Sequence, residues 1–214
     1  MKHSDTRILS LGLRFTLYIA LQFVMFFWLT YAFLPRWDWA FSENGPIEWM
    51  QFALLASSAL TMLIAVLVFA ELRRLFCLLL ACTLLAMARE LDKILDAVLP
   101  IFGWQIIFFL VIPLIAFQFI GNRQALFAQL RAFTFSPAMA VFWVAIVVII
   151  PLAQCLGDAG FLKAATGGEY MRMYKNLFEE SLELYGYLLL FCGSIESIVF
   201  ALSYRRHANI QAEN

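Results

Sequence analysis

The stretch LFCLLLACTLLAMARELDK, residues 75–93, decides how this chain folds. Leu75 to Ala88 run without a charge and then meet Arg89, Glu90, Asp92 and Lys93. An apolar run of this kind reads as a membrane-spanning helix, and charges inside such a helix are costly enough to need partners. The rest of the chain must therefore supply those partners.

Composition gives the same environment. Of 214 residues, 64% are hydrophobic and 14% charged, with a mean hydropathy of +0.83. A soluble domain carries about a quarter charged residues. The 22 Phe and 6 Trp suit apolar helix faces and interfacial belts. Net charge is zero, which gives no reason to expect nucleic acid.

The residue inventory removes several chemistries. Cys77, Cys82, Cys155 and Cys192 fall in or beside apolar blocks without a C-x-x-C, and read as small packing residues. His3 and His207 lie near the ends of the sequence, so no histidine is available for a zinc site or a Ser–His pair within the apolar region. No G-x-S-x-G occurs, Asp92 and Asp96 lie one turn apart on one helix, and no cofactor motif is present. An all-carboxylate site for Mg²⁺, Mn²⁺ or Ca²⁺ stays open, though no spacing specifies one.

Working outward, the apolar blocks predict an all-α integral membrane protein with about six transmembrane helices in one bundle. The expected spans are 11–34, 46–70, 75–99, 102–120, 137–155 and 173–204, a single domain over 1–214. The first block is expected to be a retained span ending at Pro35, followed by a short acidic loop over 36–46. Pro46 fits a first helical turn, and Ser136-Pro137 is a cap followed by a first-turn proline. Residues 121–135 read as a short interfacial amphipathic helix, with Arg123 and Arg131 toward water and Leu126, Phe127 and Leu130 toward lipid. Residues 157–168 read as a glycine-bearing loop, and Thr166-Gly-Gly-Glu169 resembles a capping box opening the last helix. Arg205-Arg206-His207 is expected to stop that helix.

Six spans put both termini on one side. That side would hold nine Lys and Arg against six on the other, so the positive-inside rule predicts a cell inner-membrane protein with both termini cytoplasmic. The acids lean the other way, with eleven of fifteen in the outer half.

Three spans bring charge to one level there. Span two offers Glu48 and, on the same face, Gln51 and Ser58. Span three offers Arg89, Glu90, Asp92 and Lys93. The last span offers Glu179, Glu180 and Glu183, with Glu179 and Glu183 on a stripe with Gly186 and Gly193. Small residues allow close packing, so spans two, three and six are expected to meet there. Arg89 and Lys93 offset Glu90 and Asp92, leaving Glu48, Glu179, Glu180 and Glu183 to be hydrated, protonated or bound to a cation. Glu196 stands apart, roughly 14 Å above Arg205 and near mid-membrane, as a single intramembrane acid.

No family pattern attaches to these residues. The preferred expectation is a binding, accessory or assembly subunit, without catalytic residues or cofactor, whose charged cluster is a structural core. Its partners would be the lipid bilayer, another membrane protein or a second copy, and a cation or lipid head group. One alternative is a proton- or cation-coupled transporter or channel using Glu196 and the outer carboxylates. Another is a lipid head-group enzyme at the outer leaflet, with Arg89 or Lys93 holding an anion.

Overall fold

The computed structural model describes residues 2–42, 45–91, 95, 105–167 and 169–213. Among them there is no strand. The main helices are α1 (Lys2–Trp28), α2 (Pro46–Val68), α3 (Arg73–Glu90), α4 (Gln105–Thr134), α5 (Pro137–Val147), α6 (Ala159–Thr166) and α7 (Arg172–Glu213). Among the described residues, four helical stretches are long and apolar enough to cross a membrane: Ser10–Ala40, Pro46–Val68, Pro137–Leu156 and Arg172–Ala208.

These four correspond to the first, second, fifth and last of the expected spans. As described, α3 has an uncharged interior of only Leu75 to Ala88, roughly 21 Å of helix against a hydrocarbon core of roughly 30 Å. Most of the expected continuation of span three, including Asp92 and Lys93, lies outside the described residues, as do residues 101–104 at the expected start of span four.

Prolines shape two of the long helices. The first stretch does not end at Pro35. It passes through a wide turn, Leu29–Phe33, where the Leu34 N–H reaches back to the Leu29 carbonyl, then a tight turn, Leu34–Arg36, and a short helix, Trp37–Ala40. A proline lacks an N–H and crowds the carbonyl four residues back, so a locally widened helix carries it at less cost than a regular one. Pro151 sits in the same kind of turn, Val148–Leu152, which joins α5 to Ala153–Leu156. The acidic loop expected over 36–46 is thereby reduced to a short link into Pro46.

Four other expectations are corrected. Residues 121–135 are no separate surface helix, because α4 runs unbroken from Gln105 to Thr134. Leu126 and Phe133 are buried, and Leu130 packs on the core instead of facing outward. The glycine-bearing loop contains α6, capped by the Asp158 carboxylate accepting from the Phe161 N–H at 2.8 Å. Thr166 ends that helix rather than opening the next, and Gly167 follows it with φ of 60°, the left-handed residue that closes helices and that glycine takes without strain. Finally, α7 continues through Arg205-Arg206-His207 to Glu213, which makes it roughly 63 Å long.

Packing defines two ends. At one, Phe69, Leu72, Leu75 and Phe76 between and within α2 and α3 meet Phe133 of α4, Ala138 of α5 and Ala201 of α7. At the other, Leu29, Phe33, Ala40 and Phe41 meet Ile47 of α2 and Leu184 of α7. Helix α1 therefore runs antiparallel to α7. The glycine stripe of α7 receives α5, not α2 or α3. A Cβ on Gly186 would lie 2.2 Å from Ile149 Cγ1, and one on Gly193 would lie 3.1 Å from the Phe142 ring. The reason is shape: bulky Ile149 and Phe142 need a flat partner, and glycine gives one.

Candidate functional site

The three acids at the start of α7 fan out to three different helices. Consecutive helical residues lie about 100° apart, so Glu179 and Glu180 cannot serve the same neighbour. Glu179 turns to the end of the α5 stretch, accepting from Gln154 Nε2 at 3.3 Å and pairing with Lys175 of its own helix at 3.6 Å. Gly157 lies against it, within 3.0 Å of its Cβ by the position a Cβ would take. Glu180 turns to α2. Gln51, fully buried, donates from Nε2 to the Glu180 carboxylate at 2.9 Å and to its main-chain carbonyl at 3.0 Å. Glu183 turns to α3 and accepts from Arg89 Nη2 at 2.5 Å.

Arg89 is the hub of the seam between α3 and α7. The same Nη2 lies 3.2 Å from Glu90 and 3.3 Å from the Tyr187 hydroxyl. Tyr187, 1% exposed and one turn beyond Glu183, donates its hydroxyl to Glu90 at 2.5 Å. Arg89 sits in the last turn of α3, where a cation suits the helix dipole. Glu90 is at the same end, where a carboxylate does not, and the donors from Tyr187 and Arg89 offset that. Charge-assisted bonds of this kind are among the stronger ones available to side chains.

The expected cluster is thus assembled in part. Gln51, Arg89, Glu90, Glu180 and Glu183 gather where α2, α3 and α7 face one another. Glu180 feels the charges of Glu183, Glu48 and Glu90. Glu48 is half-buried in the first turn of α2, where exposed amides favour an acid. Glu179 leaves the cluster for α5. Asp92 and Lys93 lie outside the described residues. Ser58, on the Gln51 face, bonds to the Leu54 carbonyl of its own helix.

Glu196 belongs to a second centre. It is 2% exposed, and it accepts from Arg14 Nε at 2.6 Å, from Arg14 Nη2 at 3.4 Å and from the Tyr18 hydroxyl at 2.8 Å. Its level is thus that of Arg14, a little over one turn into the apolar stretch that begins at Ser10. The neighbouring Ser194 and Ser197 bond to carbonyls of α7 itself, so neither serves it.

Arg14, Tyr18, Tyr187 and Gln154 are the partners that sequence reasoning missed. Two had a signal. Arg14 is a lone base in an apolar block that also carries Tyr18 one turn on, and Glu196 is an isolated acid in another. Tyr187 follows Glu183 at helical spacing, so a hydroxyl was available on the charged face. Gln154 carried none.

Chemically the seam holds acids in register with one guanidinium, a phenol and an amide. No group of three His, Cys, Asp or Glu side chains among the described residues is placed to hold a metal ion. Compared with known families, curated proteins and solved structures, the chain matches none. Its function has to be read from the side chains themselves.

Proposed function

We propose that this chain is a multi-pass protein of the cell inner membrane, six spans in one bundle with both termini in the cytoplasm. It acts by binding, as an accessory or assembly subunit for another membrane protein or a second copy. The charged seam is its structural core. The observation that carries this reading is that the buried acids of α7 are each engaged by a different helix: Glu183 by Arg89 of α3 and Glu196 by Arg14 of α1. An acid that must take up and release a transported ion works better without a fixed guanidinium partner. Glu196 is therefore read as a brace and not as a carrier. The sidedness rests on the nine-to-six excess of Lys and Arg that the six-span reading puts on the side of both termini.

The test is flux. Purified full-length chain is reconstituted in proteoliposomes with a pH-sensitive dye inside, and separately with a potential-sensitive dye. The expected result is no protein-dependent proton or cation movement, in the parent chain and in Glu196→Gln alike. Flux in the parent that disappears in Glu196→Gln would overturn the binding reading in favour of transport.

A second reading keeps one observation in its favour. The Arg89 side chain is 44% exposed while it touches two carboxylates. An exposed guanidinium beside acids is the arrangement a head-group enzyme of the outer leaflet would use, holding an anion while a carboxylate moves a proton. Mass analysis of proteoliposome lipids after incubation decides it: head-group change that requires Arg89 supports the enzyme, and unchanged lipids exclude it for the lipids tested.

A further inference from the structure

At the end of the molecule away from the charged seam, arginines from three helices converge. Arg205 of α7 pairs with Glu71 at 3.2 Å and lies 5.7 Å from the centre of the Phe69 ring. Gln129 of α4 donates to the Glu71 carbonyl at 2.8 Å and accepts from the Leu75 N–H at 3.1 Å. These contacts fasten the start of α3 to α4 and α7. Arg73 and Arg74 follow Glu71 at the start of α3, Arg131 lies two residues beyond Gln129 and Arg206 follows Arg205. Arg73, Arg131 and Arg206 are exposed and Arg74 is half-buried. Glu71 is the acid that faces them among the described side chains, and Arg205 already engages it.

Two further observations bear on what this basic surface meets. Arg73 and Arg74 occupy the first turn of α3, with no acid there and no side-chain hydrogen bond from the N-cap residue Leu72. The helix start already presents positive potential, so two cations there repel it. The surface next to the arginines is apolar and outward-facing: Leu67 at the end of α2 is 71% exposed, Phe135 after α4 is 84% and Leu202 on α7 is 46%. Basic side chains beginning where an apolar surface stops are arranged as at a membrane–water boundary.

We infer that this face binds the anionic head groups of membrane phospholipids. The phosphate complements the arginines, and the acyl chains cover Leu67, Phe135 and Leu202. A free anion would use only the first half of that surface. This inference concerns the opposite end from the seam and does not depend on what the seam does.

The test uses the full chain in nanodiscs of equimolar phosphatidylcholine and phosphatidylglycerol, with lipids that remain bound counted by native mass spectrometry after release. Phosphatidylglycerol should be enriched severalfold in the parent. The triple variant Arg73→Gln/Arg131→Gln/Arg206→Gln, which leaves the Arg205–Glu71 pair intact, should lose that enrichment. Arg172→Gln, at the other end, should keep it. If the triple variant does not fold, the parent decides alone: its preference must weaken as salt is raised, because exposed charge is screened. Equal retention of the two lipids by the parent, enrichment that survives in the triple variant, or enrichment indifferent to salt each overturns the assignment. So does tight binding of a soluble polyglutamate peptide without lipid preference, which would assign the face to an acidic protein partner.

Discussion

Glu196 receives two nitrogens of Arg14 and the hydroxyl of Tyr18 while remaining almost inaccessible. A carboxylate in that position is tolerated only because all three donors reach it. Removing Arg14 alone leaves a buried charge unpaired. Arg14→Gln should therefore cost about 3 kcal/mol of stability in detergent, toward the lower limit for a broken buried pair because Arg14 itself is partly exposed. At the other centre, Tyr187→Phe removes the hydroxyl that serves Glu90. It should cost about 1.5–3 kcal/mol, the usual loss for a hydrogen bond to a charge. Both are read from denaturant or thermal unfolding of the full chain. A Tyr187→Phe protein as stable as the parent would mean that Arg89 alone satisfies Glu90.

At the level of elements, two contacts set how the helices lie. Gly186 of α7 leaves room for Ile149, the buried residue of the wide turn around Pro151. Gly186→Ala should destabilise by about 1–3 kcal/mol through overpacking. The same change made in an Ile149→Ala background should cost less, because the colliding atoms are gone. Gly12→Ala, where nothing lies within 4 Å, is the control and should be neutral or slightly stabilising. Gln129 ties α4 to the turn before α3 through two main-chain groups. Gln129→Ala should cost about 1–3 kcal/mol by leaving them without partners. An unchanged midpoint would mean that water replaces the amide.

The elements also explain what could be read from the chain beforehand. Helix starts are legible where a chemical marker is unique, as at Pro46 and at Ser136-Pro137, where Ser136 accepts from the Met139 N–H. Helix ends are less so. Thr166-Gly167 carries the residue types of both a cap and a terminus, and only the left-handed backbone at Gly167 separates them. Pro35 reads as a stop because nothing local announces the wide turn that carries the helix past it. The charged seam is legible as a collection of residues, since acids in apolar blocks need company. Their pairing is not, because it depends on which helix lies on which side of α7. Gln51 and Arg89 could be named, but not that Glu180 goes to one and Glu183 to the other while Glu179 turns away to Gln154.

Across the whole molecule, charge is used where apolar packing cannot discriminate. Between apolar helices in a membrane, one face fits another about as well as it fits lipid, so register and neighbour choice fall to small residues and polar pairs. Here α7 is the common strut: Arg14 holds α1 to it, Gln51 holds α2, Arg89 holds α3 and Gln154 holds the end of the α5 stretch. A molecule built this way presents apolar faces outward. The claim that its buried charges are braces is tested most directly by exchanging one pair. Arg14→Glu and Glu196→Arg are made singly and together, and the unfolding midpoint of each full-length chain is measured in the same detergent. Bracing predicts that each single variant falls well below the parent, because like charges then face each other, and that the exchanged pair recovers most of the loss. An exchanged pair no more stable than the worse single variant would contradict it.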